Sequence, residues 1–354
     1  MFLKNCWYVA AEAEEINRRP FGRTICNEPV VFWRTEDGLP VAFEDRCCHR
    51  RMPLRKGELA GDRLRCHYHG LEFDTSGACV HVPGQSTVPP DARVRAYPVV
   101  ERYKWIWIWL GDRALADPDE IIPFPWRDSP DWGDKGTYFH VNADYRLLID
   151  NLLDQSHLAF VHASTIGNSA IAERANVKFL KTEETVTVAR WMIGNTPPPT
   201  YRLMMGWEPD RVVDRWAINE FRPPCAVRLS VGAATGAAQG KDFGFAALDH
   251  PEPAGGFGFR NLNFITPESE TSCHYFWSNA CNVKPITEER TDLQFRQVVT
   301  AFLQDWEVLE LQQQNWDDRP VISTNADTGW IAARKMIADR VAAEARGLAC
   351  DAAE

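Results

Sequence analysis

The stretch from Asn151 to His162, NLLDQSHLAFVH, sets an amide, an acid and two imidazoles among apolar residues: Leu147, Leu148, Ile149, Leu152, Leu153, Leu158, Phe160 and Val161. A helix of that composition is a buried one. Burying Asp154, His157 and His162 costs roughly several kcal/mol unless each is paired or bound to metal. On a straight helix His157 and His162 diverge by about 140°, so both reach one ion only if the helix breaks or widens between them. With one acid from elsewhere they would form the facial triad that holds non-haem Fe(II) and leaves positions open for oxygen. The competing reading is a core histidine pair with a buried acid bonded to backbone. Asn151 and Asp154 are the candidate catalytic side chains beside the two histidines.

A second constellation lies upstream: Cys47, one residue, His49, then sixteen residues to Cys66, then two residues to His69. The two pairs, CCH and CHYHG, each fall in a loop between strand-like segments, so two loops can close on one centre. Two Cys and two His could make a structural zinc site. A Cys-x-His pair is an unusual zinc spacing, however, and two Cys on one iron with two His on the other is the ligand set of a Rieske [2Fe-2S] centre. The spacing, with Gly70 after the last ligand, resembles the Rieske motif.

Where respiratory Rieske proteins have a disulfide between the two loops, this chain has Met52 and Tyr68, so no loop disulfide is expected. Cys48 and His67 fall outside the ligand spacing and read as bystanders. Fewer polarising groups around the sulfurs place the expected potential toward the low end of roughly -150 to +300 mV. The Pro-Gly loop Val82 to Gln85 is of the kind that covers such a cluster.

The elements that must position these residues follow from the rest of the chain. Its 354 residues, 45% hydrophobic with 14 Trp, suffice for two domains. The formal net charge of -10 disfavours nucleic acid and anionic membrane surfaces as partners. With no signal-like opening and no long apolar run, a soluble cytoplasmic protein is expected. The ten cysteines lack the spacing of a disulfide scaffold.

Residues 1–112 read as short strands between turns, an all-β module in which Trp105, Trp107 and Trp109 mark a central strand buried on both faces. A Pro- and Asp-rich connection follows, and a second domain is expected over 113–354. It has a strand leading into the histidine segment, then further strands, then two C-terminal helices. This is an α+β arrangement. Among the 49 acids, Asp305 in FLQDWEVLE has the most apolar surroundings on the C-terminal amphipathic helix and is chosen as the third iron ligand, with Glu310 next. Substrate-contact candidates on the second domain's strands are Asn263, His274 and Trp277, with Met204 and Met205.

Along nearly its whole length the chain resembles the Rieske non-haem iron oxygenases. The resemblance rests on FLKNCWYVA, VVFWRTEDG, EDRCCHR, CHYHGLEFD, VPGQ, NLLDQSHLAFVH and FLQDWEVLELQQ. Within them it resembles the vanillate O-demethylase oxygenase group, with the dicamba demethylase and toluenesulfonate methyl-monooxygenase. The resemblance implies a Rieske domain followed by a helix-grip, START-like catalytic domain. Its mononuclear Fe(II) would be held by His157, His162 and Asp305. It also implies that Asp154 bridges that iron site to a Rieske histidine, His69, of a neighbouring subunit in a head-to-tail homotrimer. The implied chemistry is O2- and NAD(P)H-dependent hydroxylation or O-demethylation of a small aromatic acid. Electrons would come from a separate flavin and iron-sulfur reductase, since no Gly-x-Gly-x-x-Gly turn follows a strand here. Ring hydroxylation, N-demethylation, or a non-catalytic electron carrier are the alternatives.

Overall fold

The computed structural model describes residues 1–236, 239–249, 257–317 and 319–351. Its contacts divide the chain into a unit of Met1–Ile122 with Thr266–Ser269 and a unit of Pro123–Ile265 with Glu270–Glu354. The first contains eleven short strands: β1 (Trp7–Glu12), β2 (Phe21–Ile25), β3 (Glu28–Arg34), β4 (Pro40–Glu44), β5 (Glu58–Ala60), β6 (Arg63–Arg65), β7 (Glu72–Phe73), β8 (Cys79–His81), β9 (Ala96–Tyr97), β10 (Val99–Arg102) and β11 (Trp105–Trp109). They form three antiparallel sheets, ordered β1-β11-β10, β2-β3-β4-β9 and β5-β6-β7-β8.

The indole run fixes the first of these sheets. With apolar side chains on both faces, β11 is stable only as the middle strand, and all five of its residues are buried. Each indole N–H still finds an acceptor: Trp105 donates to Glu12, Trp107 to Arg102 O and Trp109 to Asp112 O. The row of tryptophans is core and is not open to a ligand.

The second unit is built on seven antiparallel strands: β12 (Gly133–Val141), β13 (Asn176–Lys181), β14 (Val186–Asn195), β15 (Val213–Arg222), β16 (Ala226–Ala234), β17 (Phe257–Ser269) and β18 (Ser272–Cys281). Their order is β12-β18-β17-β16-β15-β14-β13. Among the described residues five α-helices accompany them: α1 (Tyr145–Leu153), α2 (Ala170–Glu173), α3 (Pro199–Met205), α4 (Glu288–Gln314) and α5 (Thr328–Asp351). The short helix α3, in the Pro-rich TPPPTYRLMM segment, is a departure from the strand reading of that region. Its three prolines occupy positions before and at the first turn, where a missing N–H costs nothing. No helix among the described residues is long and apolar enough to cross a membrane.

The long helix α4 is what makes the sheet into a site. Thr287 caps it, accepting from Arg290 N, and Glu288 and Glu289 complement the positive end of its dipole. Its buried stripe runs Gln294, Val298, Ala301, Phe302, Asp305 and Leu309, a helical spacing that carries two polar residues inward. Phe302 packs on Tyr275 and Trp277, Phe295 stacks on Trp277, and Trp306 stacks on Phe139. Because side chains alternate across a strand, Tyr275 and Trp277 therefore face α4 while His274 and Phe276 face away.

Candidate metal centres

In the first unit the two ligand loops have the same backbone. Cys47 N donates to Met52 O and Cys47 O accepts from Arg51 N, while Cys66 N donates to Leu71 O and Cys66 O accepts from Gly70 N. In both loops the fifth residue has positive φ, 57° at Arg51 and 74° at Gly70. At position 70 a side chain would also collide with the loop that follows, since a Cβ there would lie 2.9 Å from Pro83 Cγ. Glycine thus lets the VPGQ loop close on the second ligand loop.

The twin turns bury both sulfurs and leave both imidazoles at the surface. Cys47 and Cys66 are 1% and 2% exposed, whereas His49 and His69 are exposed with ring centroids 4.6 Å apart. Burial, reinforced by the neighbouring Cys66, pushes the Cys47 thiol up to about 12, so a cation must replace its proton for the thiolate to persist. This donor set fits a cluster with a buried cysteine-bound iron and an outer histidine-bound one. All nine described cysteines are free thiols, Met52 and Tyr68 standing where a disulfide would be; Cys350 lies outside the described side chains.

In the second unit the histidine segment starts as α1, with Asp144 accepting from Arg146 N at its cap and Leu147, Leu148, Ile149, Leu152 and Leu153 buried. The helix does not continue to His162 as its composition suggests. At Asp154 the backbone becomes extended, with φ -105° and ψ 95°, and a 3-10 turn spans Gln155–Ala159. Ser156 N and Oγ bond the Asp154 carboxylate at 2.9 and 3.0 Å, which stops one helix and caps the next turn. Phe160 is 78% exposed, against the expectation of burial. Behind His162 the chain turns tightly: Gly167 N donates to His162 O, and a Cβ at 167 would lie 1.7 Å from Leu158 O.

This break, ahead of both histidines, aims them at one point. His157, His162 and Asp305 each offer an atom, all within 4.8 Å of one another. Asp305 Oδ1 lies 3.0 Å from His162 Nε2, 3.4 Å from His157 Nε2 and 3.0 Å from Asn151 Nδ2, which donates to it. Both rings are held from behind. His157 Nδ1 bonds the main-chain O of Asp154 at 2.6 Å, and His162 Nδ1 bonds Gln304 Oε1 at 2.9 Å. Each acceptor requires Nδ1–H, which leaves both Nε2 lone pairs facing a carboxylate oxygen. Such an arrangement calls for a shared cation. Without metal, protonated rings take its place: burial pushes the Asp305 carboxyl up, but hydrogen bonds from the two imidazoles outweigh it and bring it to about 2. Burial lowers His162, yet the adjacent Asp305 carries it above its ordinary value. Without metal a proton fills this gap, and metal must displace it.

Two family models match this chain, the Rieske [2Fe-2S] domain over residues 6–98 and the vanillate O-demethylase oxygenase C-terminal domain over residues 141–343. The toluene-4-sulfonate monooxygenase system iron-sulfur subunit TsaM1 of Comamonas testosteroni is 40% identical, over 99% of this chain and 100% of that protein. The vanillate O-demethylase oxygenase subunit of Pseudomonas sp. (strain HR199 / DSM 7063) is also 40% identical, over 97% of this chain and 96% of its own length. The crystal structure of dicamba monooxygenase bound to 3,6-dichlorosalicylic acid superposes with a TM-score of 0.88 at 31% identity, covering 97% of this chain and 99% of that one. The chain belongs to the vanillate O-demethylase family of Rieske oxygenases.

Within this oxygenase the other candidate residues are placed unevenly. Trp277 and Asn263 lie on the α4 side of the sheet. The Trp277 indole N–H is buried without an acceptor, while Asn263 is engaged at both ends, donating to Val227 O and accepting from Tyr275 Oη. His274 is on the opposite face, its Nδ1 2.9 Å from Tyr138 Oη, so it does not reach the metal side. Met204 and Met205 line a separate cavity of about 830 Å³ with Arg290 and Leu293 at the other end of α4. Glu310 is taken by Asn142 and Trp306 and makes no contact with either metal-facing histidine.

Two neighbours of the site escape any sequence signal. Gln304 reads as one more polar residue on a helix. Arg190 sits in a strand of mixed character, yet its guanidinium is 3% exposed and its Nη2 lies 3.2 Å from Asp154 Oδ1. The Asp154 carboxylate is thus turned to Arg190 and Ser156, and its bond to His157 runs through the main chain.

For the Rieske oxygenase the ligand loops give a direct test. The protein is expected to be red-brown as isolated, and Cys47→Ser or His69→Ala to bleach it. Zinc at one equivalent, in place of about two sulfide-linked irons, would refute the assignment.

Proposed function

We propose that this chain is the terminal oxygenase of a multicomponent monooxygenase that hydroxylates the methyl carbon of a small methoxylated or methylated aromatic acid. The observation that carries the reading is the convergence of His157 Nε2, His162 Nε2 and Asp305 Oδ1. Iron bound there supplies coordination positions left open for O2. The chain supplies the rest. Asp305 contributes the single negative charge, and the Asp154 carbonyl and Gln304 keep both imidazoles as Nε2 donors. Phe302, Tyr275 and Trp277 pack as a buried aromatic cluster between α4 and the sheet, and the indole N–H of Trp277 within it has no acceptor.

Electrons from NAD(P)H would enter through a flavin and iron-sulfur reductase, reach the cluster held by Cys47, Cys66, His49 and His69, and leave by the exposed imidazole edge. A surface cavity of about 270 Å³ reaches Asn151, Asp154 and His157, and its lining includes Val321 and Ile322, 53% and 95% exposed. An apolar rim of that kind beside the iron site supports docking of a neighbouring copy. His69 of that copy would approach Asp154, and a closed ring of three copies in the cytoplasm is the proposed assembly.

With a methoxy substrate, one O2, two electrons and two protons convert Ar–O–CH3 to Ar–O–CH2OH and water. The hemiacetal then breaks down to the phenol and formaldehyde. Screening methoxylated and methylated aromatic acids with a reductase, and reading formaldehyde against oxygen uptake, tests the reading. Formaldehyde equal to oxygen consumed, dependent on ferrous iron, is the expected result for a methoxy substrate. Catechols or diols without formaldehyde across the panel would assign ring hydroxylation instead.

A further inference from the structure

The two imidazoles facing Asp305 are held by acceptors of different kinds. His157 leans on a main-chain carbonyl and is partly exposed, with 21% side-chain exposure. His162 is fully buried and leans on a side chain, the amide of Gln304. We propose that Gln304 is a positioning residue for the mononuclear iron, its amide oxygen fixing the tautomer and ring plane of His162. The inference rests on the reading of His157, His162 and Asp305 as iron ligands.

Consecutive residues of α4 grip the two nitrogens of one ring, Gln304 at Nδ1 (2.9 Å) and Asp305 at Nε2 (3.0 Å). A neutral imidazole carries one N–H, and the Gln304 oxygen accepts it only at Nδ1. The alternative tautomer would point Nε2–H at Asp305, satisfying the carboxylate and removing the lone pair a metal needs. His162 itself is fully buried, so removing the amide oxygen takes away the acceptor that holds its Nδ1–H and frees that alternative. Being neutral, Gln304 orients the ring without adding a second negative charge beside Asp305. The helix that brings the carboxylate also brings the orienter, so both move as one rigid piece.

The test compares Gln304→Leu and Gln304→Met, which keep the bulk and lose a strong acceptor, with Gln304→Glu, which keeps one. Mononuclear iron is removed from the full-length protein with a chelator. Fe(II) and Co(II) are then titrated back in competition with a chelator of known affinity. Cluster absorbance and near-ultraviolet circular dichroism report folding. The Co(II) electron paramagnetic resonance spectrum, recorded with the Rieske cluster oxidised and silent, reports ligand geometry.

Gln304→Leu and Gln304→Met are expected to bind both metals about 10 to 100-fold more weakly and to shift the Co(II) spectrum. Gln304→Glu should stay within a few-fold of the original affinity. A packing role predicts the reverse ranking, since the apolar residues fill the space and Glu buries a charge. That ranking, or equal affinity in all variants, would overturn the proposal. His162→Ala taking up metal as the unsubstituted protein does would instead overturn the ligand assignment, and the proposal with it.

Discussion

Asp305→Ala is expected to leave a folded, red-brown protein with little mononuclear iron and turnover reduced by about three orders of magnitude or more. Losing a group that only orients a ligand already costs roughly 10 to 100-fold, and this substitution would remove a proposed ligand outright. Asp305 Oδ1 is the common partner of His157, His162 and Asn151, so its loss takes away the only negative charge among the three ligand residues and the atom on which they converge. The cluster should be untouched, because its ligands belong to the other unit. Iron per cluster, from metal analysis and the Rieske absorbance, is the measurement. Stoichiometric iron and normal turnover in Asp305→Ala would show that another carboxylate binds the metal. Glu310→Ala serves as the control and should retain iron, since Glu310 is committed to Asn142 and Trp306.

Asp154→Asn should separate electron delivery from metal binding. His157 is held by the main-chain oxygen of Asp154, which the substitution keeps, so both metal centres should stay loaded. What changes is the carboxylate between Ser156 and the buried Arg190, whose positive charge is left without its partner. The cluster should still accept an electron from reductase, while product formation falls by roughly 100-fold or more. Loss of iron in this variant would instead make Asp154 part of the metal site.

Mixed assemblies then report the route. Asp154→Asn chains have an intact cluster, and Cys47→Ser chains have an intact Asp154; neither works alone. If electrons cross between copies, mixing them restores activity, because the cluster of one faces the Asp154 of the other. Mixed assemblies of proven composition that stayed inactive would place the path within one chain.

The local chemistry of this protein is written in its sequence, and its long-range chemistry is not. Cys47, His49, Cys66 and His69 stand out because their spacing lies within two loops of a few residues, where backbone geometry alone sets which side chains can share a centre. The alternating indoles of β11 and the helical stripe of α4 are legible for the same reason, as a strand or helix repeats a period that composition reveals. Periodicity overshoots at Asp154: the apolar run continues past it, but the carboxylate bonds its own downstream backbone and ends the helix there. That competition between a side chain and the helical pattern leaves no mark in hydrophobicity.

Tertiary packing decided the rest. Which of 49 acids meets His157 and His162 depends on how α4 rotates and slides over the sheet, a choice settled by Phe302 on Tyr275 and Trp277 and by Trp306 on Phe139. The same registration brings Gln304 behind His162. Strand register, which sends successive residues to opposite faces, puts Trp277 on the metal side and His274 on the other. A one-residue shift would exchange them, and the sequence around SCHYFWSN carries polar and aromatic residues on both faces, so only the packed sheet distinguishes the two.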